Sequence, residues 1–299
     1  MSTAATEIRA FTAAKFQTPA KFPQFCAGGG KPLGAWIGGR SVRGSMNVTF
    51  ETIDPGSLEV LATVSEMGAA EVNMAVEAAT QAFHGTGNNG WKKTPVEERC
   101  RLVMKLVELC ERDRDVLIAC EVRDGGKVSE LAEGDFTQIR ACAEYFCSVA
   151  RGAEMGDGEA MQVGDGVKGF TYREPWGVVA GIIPWNYPIV LTSWFMFPAL
   201  LSGNCILIKP AEDTPLSALV IGKLAEEAGF APGVINVLPG RGEITGQCIA
   251  EHPGVRFISF TGSPGVGQSI LRTCDQHGTR MKREMGGNGA AIVLADADP

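Results

Sequence analysis

Tyr172-Arg-Glu-Pro-Trp-Gly-Val-Val-Ala-Gly-Ile-Ile-Pro-Trp-Asn-Tyr-Pro188 leads on to Ile208-Lys-Pro-Ala-Glu-Asp-Thr-Pro215, and no charged residue lies between Glu174 and Lys209. A membrane span needs about 20 apolar residues without interruption. Pro184, Pro188 and Pro198 punctuate this run and Asn186 sits inside it, so it reads as three buried elements. Val178–Ile183 is a strand, residues 189–201 are a helix, and Cys205–Ile208 is a second strand. Short, wholly apolar, β-branched strands belong to parallel sheets covered on both faces.

The alternation continues toward the C-terminus. Strands are expected at Val234–Val237, Arg256–Phe260 and Arg280–Glu284, and helices at Leu216–Ala228, Ile244–Ala250 and Val266–Cys274. Gly203 and Gly229 fall just past helix ends, where glycine caps best. Strand and helix repeating in this way imply right-handed crossovers and an α/β fold on a doubly wound parallel sheet. Ala290–Leu294 reads as the start of a further strand.

Toward the N-terminus, residues 47–53 and 60–64 read as a hairpin around the turn Asp54-Pro-Gly-Ser57. Ser65 to Phe83 has helical spacing. Thr94 as N-cap with Pro95 at the first position opens an amphipathic helix that includes residues 100–120. Helices follow at 128–133 and 136–151. Glu154 to Gly169 carries five glycines and reads as a hairpin or loop excursion. Cys110, Cys120, Cys142 and Cys147 fall on helices and read as small buried apolar residues.

The chain has 299 residues and a net charge of −7, which argues against nucleic acid or an anionic membrane as partner. Its nine cysteines are scattered with no C-x-x-C pair, and none of its three histidines forms a ligand pair. That argues against a metal site and a disulfide framework and fits a reducing compartment such as the cytoplasm. Met1–Lys21 carries Arg9, Lys15 and Lys21 against the single acid Glu7 and lacks a secretory core. It reads as a frayed tail or, alternatively, an organellar import segment.

Ligands of such sheets bind at the carboxyl ends of strands. Here those ends read Pro184-Trp-Asn186, Lys209-Pro-Ala-Glu212, Pro239-Gly240, Thr261-Gly-Ser263 and Glu284-Met-Gly-Gly287. The loop Gly262-Ser-Pro-Gly-Val-Gly267 follows a strand and opens a helix, so its amides can face a pyrophosphate. A glycine-rich turn also has an ordinary structural reading. Lys209 with Glu212 three residues on suits the hydroxyls of an adenosine ribose. Glu212 would repel a 2′-phosphate, which favours NAD over NADP.

Four motifs taken together resemble the NAD(P)-dependent aldehyde dehydrogenase superfamily: Pro184-Trp-Asn-Tyr-Pro188, Lys209-Pro-Ala-Glu-Asp-Thr-Pro215, Phe260-Thr-Gly-Ser263 with Gly267, and Glu284-Met-Gly-Gly-Asn288. The resemblance covers roughly residues 35–299. It implies a Rossmann-like cofactor domain and oxidation of a small-molecule aldehyde, with NAD accepting the hydride. It implies Asn186 as oxyanion donor and Glu284 as the base that activates water, the apolar Met285 giving Glu284 a desolvated setting. Taken singly, Asn186 also reads as a turn residue and Glu284 as a surface acid. By motif match Ile183, Pro184 and Trp185 border the cofactor. Lys209 and Glu212 take its ribose, Gly240, Gly262, Ser263 and Gly267 line its path, and Gly286 leaves room beside it.

The implied layout is a tail (1–30), a hairpin-and-helix region (31–153), an oligomerisation hairpin (154–172), the Rossmann-like core (173–284) and the start of a catalytic domain (285–299). The family's nucleophilic cysteine lies beyond the glutamate motif. Pro299 comes fifteen residues after Glu284 and no cysteine follows Cys274, so the expectation is a chain without that nucleophile. A fragment of a homo-oligomeric enzyme and a short non-catalytic NAD-binding or subunit-interaction protein both remain open. Asn288-Gly-Ala departs from a small-residue–proline pattern common in relatives. Tyr187 and Trp194, seven apart on one helix face, match aromatics that hold a cationic amine in betaine-aldehyde and aminoaldehyde members. Packing is the other reading of that pair.

Overall fold

A computed structural model describes residues 17–26, 30–86, 89–152, 160–287 and 289–297. Much of Met1–Lys21, part of the 154–169 excursion, and Asn288 lie outside the described residues. The chain opens with α1 (Lys21–Cys26), then β1 (Ala35–Ile37) and β2 (Arg40–Val42), turned by Gly38 and Gly39 at φ of 58° and 76°. β3 (Thr49–Ile53) and β4 (Val60–Ser65) pair antiparallel. The helical region holds α2 (Ala69–His84), α3 (Val96–Arg112), α4 (Arg114–Ala119), a π-helical turn (Cys120–Asp124) and α5 (Ser129–Gly152). β5 (Ala160–Gly164) and β6 (Val167–Phe170) form a separate hairpin.

The core then alternates: β7 (Val178–Ile182), α6 (Pro188–Leu201), β8 (Cys205–Lys209), α7 (Leu216–Ala228), β9 (Ile235–Val237), a π-helical turn (Gly242–Gly246) with α8 (Gln247–Glu251), β10 (Phe257–Gly262), α9 (Pro264–His277) and β11 (Arg280–Met285). The sheet order is β11-β10-β7-β8-β9-β1-β2. β7 to β11 are parallel, with Ile182 opposite Lys209 on one side and Phe260 on the other. β7 and β8 are buried along their whole length, as their apolar runs require. Each fully buried Ile or Leu of β8 contributes about 1.5–3 kcal/mol relative to exposure. Helices from both sides cover the strands, and among the described residues no helix is long and apolar enough to cross a membrane.

Several expectations need correction. The sheet is mixed, because β1 pairs antiparallel with β9 through Trp36 and Val237. Ser65 ends β4, and α2 starts only after Gly68, whose N–H is taken by Glu71 Oε2 at 2.9 Å. Pro95, not Thr94, occupies the N-cap of α3. Residues 128–151 form one helix rather than two, while the expected helix through Cys120 ends in the π-helical turn. Ala290–Leu294 is no strand; Ile292 and Val293 stand exposed without a sheet neighbour. Cys142 is only partly buried, unlike Cys110, Cys120 and Cys147.

Candidate active site and cofactor rim

The first strand of the core, β7, lies in the middle of the parallel set, with β8 on one side and β10 on the other. The chain thus changes direction across the sheet between β7 and β10, and the crevice beyond their carboxyl ends is where such sheets bind ligands. Two loops flank it, residues 183–187 and 262–267.

The 183–187 loop starts buried and ends in water. Ile183 is buried and its N–H donates to Lys209 O at 3.0 Å, tying the exits of β7 and β8 together. Pro184 is half-buried, and Trp185, Asn186 and Tyr187 are exposed. Pro188 then enters α6 at its first turn, the position where its missing N–H costs nothing. Among the described residues the Asn186 amide has no protein partner, so its N–H groups are unclaimed.

Lys209 and Glu212 meet as expected, Nζ to Oε2 at 2.9 Å. Burial pushes the Glu212 carboxyl up, but the Lys209 charge and hydrogen bond, with backbone N–H groups of Glu212 and Gly242, outweigh it and hold the acid below its ordinary range. The carboxylate is therefore ionised and half open to a ligand hydroxyl.

At the other loop, Ser263 caps α9, its hydroxyl accepting the Val266 N–H at 3.5 Å. Gly267 is buried, and a Cβ there would stand 2.7 Å from Met285 Sδ and 3.0 Å from Phe260 Cε1. A Cβ on Gly262 would meet the Phe260 ring at 2.7 Å, whereas Gly265 and Gly286 face open space. Glycine thus lets α9 sit tight on β10 and β11 while its N-terminal amides look outward. These donors stand two strands away from the Lys209–Glu212 pair at the end of β8, and amides at a helix N-terminus are of the kind that bind a pyrophosphate.

Gly240 has a different role. Its φ is 153°, and a Cβ would lie 1.8 Å from Thr245 Oγ1 and 2.5 Å from Glu66 Oε1. The glycine makes room for buried Glu66, which accepts the Arg241 N–H at 2.7 Å.

Glu284 is on β11 opposite Thr261. Its side chain is 64% exposed and lies 3.4 Å from Lys282 Nζ, so the desolvated setting expected beside Met285 is absent. β10 lies between β11 and β7, so Glu284 is two strands from the β7 exit that leads to Asn186. Trp194 is exposed on α6, but the Tyr187 ring already faces a cation, Lys127 Nζ at 4.5 Å from its centroid. Cys205 and Cys274 are buried, and burial pushes both thiols up. Among the described residues no His, Cys, Asp or Glu group forms a metal cluster. His252 Nδ1 accepts the Gly254 N–H at 2.9 Å, a turn-forming role.

Sequence reasoning missed Glu121, Lys127 and Asp135, which cluster beneath the Tyr187 ring. Their signal was Glu121 and Lys127 flanking Gly125-Gly126 at the end of an amphipathic run, but the shared partner is visible only in three dimensions.

Residues 42–299 match the aldehyde dehydrogenase family. The chain belongs to that family. An aldehyde dehydrogenase of Aspergillus niger is 36% identical over 269 residues, 90% of this chain and 53% of the relative. Among solved structures, the NAD+ complex of a Bacillus cereus aldehyde dehydrogenase superposes with a TM-score of 0.85 at 35% identity, covering 94% of this chain and 56% of that one. A Staphylococcus aureus betaine aldehyde dehydrogenase in complex with NAD+ gives 0.79 at 32% identity, over 85% and 51% of the two chains. The chain thus spans about half the length of the aldehyde dehydrogenases it matches.

Proposed function

We propose that this chain carries the cofactor-binding part of a site that oxidises an aldehyde to the carboxylic acid. The observation that carries the reading is the convergence of the Asn186 loop, the Lys209–Glu212 pair and the Ser263-capped helix on one rim. NAD, when bound, supplies the hydride acceptor. Lys209 and Glu212 would hold its adenosine ribose, the α9 N-terminus with Ser263 its pyrophosphate, and Ile183, Pro184 and Trp185 the floor of its path. Glu212 favours NAD over NADP, because its carboxylate would face a 2′-phosphate. Asn186 donates an amide N–H to the oxygen on which negative charge develops. Glu284 takes a proton from the hydrolytic water at its carboxylate, once its contact with Lys282 is given up.

We assign the thiolate step to no cysteine of this chain, since seven of the nine are buried and the partly buried Cys142 and Cys248 lie on α5 and α8 rather than at a strand's carboxyl end. The second reading is a non-catalytic NAD-binding or subunit-interaction protein of the same family. The exposed Met161, Val163, Val167 and Phe170 of the β5–β6 hairpin support a homo-oligomer. The scattered free thiols fit the cytoplasm. For a cationic aldehyde of the betaine or aminoaldehyde type, Trp194 is the aromatic that remains available, since Tyr187 is engaged by Lys127.

Calorimetric titration with NAD, paired with an aldehyde-dependent NADH assay, tests this. NAD binding without turnover is expected of the 299-residue chain; absence of NAD binding overturns the reading. The intact mass of the natural polypeptide separates the two alternatives. A mass well above that of these residues favours the enzyme, and an equal mass favours the non-catalytic protein.

A further inference from the structure

Tyr187, the N-cap of α6, makes no side-chain hydrogen bond to the helix, so the exposed loop that carries Asn186 has no cap of its own. Its order comes from a distant segment. Glu121, in the π-helical turn, accepts the Ile189 N–H on Oε1 at 3.2 Å, satisfying a donor of the first helical turn. The other oxygen of Glu121 lies 3.0 Å from Lys127 Nζ, and Asp135 Oδ2 closes on the same ammonium. That ammonium stands 4.5 Å from the Tyr187 ring centroid. The side chains of Lys127, Glu121 and Asp135 are only 11%, 2% and 7% exposed. Burial pushes Glu121 up and works against a charged Lys127, but the two carboxylates outweigh it and keep the lysine charged.

A buried ammonium held by two carboxylates cannot lose one partner without stranding a charge, so the three act as a unit. The unit grips the chain at the ring of residue 187 and at the N–H of residue 189, immediately after Asn186. The ring contact is a cation–π pair whose ammonium is largely shielded from water while the ring stays half open to it. Among the described residues no hydrogen bond holds the Asn186 amide, so its direction follows from how the backbone on either side of it is held.

We infer that Lys127 is a positioning residue: through the Tyr187 ring and through Glu121 it fixes the direction in which the Asn186 amide projects over the rim. The inference rests on Asn186 being the oxyanion donor only for its consequence in turnover; the positioning itself is a property of this chain. It also explains why Tyr187 is poorly placed to bind a cationic substrate, since one face of its ring is used internally.

The test is nuclear magnetic resonance on the full 299-residue chain labelled with nitrogen-15. The Asn186 side-chain NH2 pair is assigned by its disappearance in Asn186→Asp. In Lys127→Met, the pair is expected to change position and its heteronuclear Overhauser effect to fall as the loop loosens, while the β7 and β8 backbone signals stay in place. Lys127→Arg, which keeps the cation, is expected to restore it. An unchanged Asn186 pair in a folded Lys127→Met overturns the inference. Should that variant fail to fold, Tyr187→Leu leaves the buried ion cluster intact and carries the same test; an unmoved Asn186 pair there overturns the inference too. The readout needs no turnover, so it stands or falls separately from the assignment of Asn186 as oxyanion donor.

Discussion

The Lys209 ammonium, 3% exposed, lies 2.9 Å from the Glu212 carboxylate, which is 37% exposed and presented to the rim. Among the described residues the lysine pairs with no second acid, so it fixes the glutamate at the position proposed above for a ribose contact. Replacing Glu212 with Gln keeps a hydrogen-bonding head and removes the charge that would oppose a 2′-phosphate. Glu212→Gln is expected to lower the ratio of NADP to NAD dissociation constants by roughly tenfold, equivalent to about 1.4 kcal/mol. Calorimetry with both cofactors checks this. Equal affinities in the unmodified protein would refute the adenosine-end assignment.

Gly240 and Gly265 make a matched pair. An alanine at 240 would put Cβ 1.8 Å from Thr245 Oγ1, at a φ of 153° that side chains avoid, whereas one at 265 meets nothing within 4 Å. Gly240→Ala is expected to destabilise the fold by roughly 2–4 kcal/mol, and Gly265→Ala to leave it within about 0.5 kcal/mol. Urea denaturation measures both. A silent Gly240→Ala would mean that Glu66 and Thr245 do not need the space.

The thiols offer a third check. Burial pushes Cys26, Cys110 and Cys147 up to about 12, and it also raises Cys142 and Cys248, the two that are only partly buried. Alkylation by iodoacetamide at pH 7 is expected to be slow and to begin at Cys142 and Cys248, the rest reacting on denaturation. Rapid stoichiometric modification of one cysteine, located by peptide mass, would reveal a nucleophile inside this chain after all.

Asp124 predicts a pH dependence. Burial raises its carboxyl from 3.8 to about 8, opposed by the Leu216 N–H that it accepts at 3.0 Å. Between those values the folded chain keeps the proton and the unfolded chain loses it, so the stability contributed by this group declines as pH rises from 3.8 to about 8 and then levels off. Asp124→Asn keeps an oxygen for Leu216 and cannot ionise. Its Tm advantage over the parent is expected to be larger at pH 8 than at pH 5; an advantage independent of pH would rule out this titration.

How much of this was legible beforehand depends on the range of the interaction. β7 and β8 were readable because five consecutive buried residues leave a local signature, and the turn into α9 because its glycines and proline follow the strand directly. The rim followed from those strands. By contrast, Ala35-Trp-Ile37 is too short to show which strand it pairs with, and nothing near Glu121 says that its oxygen will satisfy Ile189. For Glu284 the sequence left both a surface acid and a desolvated base open. One apolar neighbour, Met285, does not bury a residue on a strand that is exposed along most of its length.

The pairing of β1 with β9 has a consequence for how the chain is made. Gly38 N donates to Asn236 Oδ1 at 3.0 Å across a separation of 198 residues. At a translation rate of roughly 5–20 residues per second, β1 leaves the ribosome roughly 10–40 s before its partner exists. The β1–β2 hairpin must wait through that interval with its apolar face unshielded, so a nascent-chain chaperone would meet this margin of the sheet before any of the parallel strands exists.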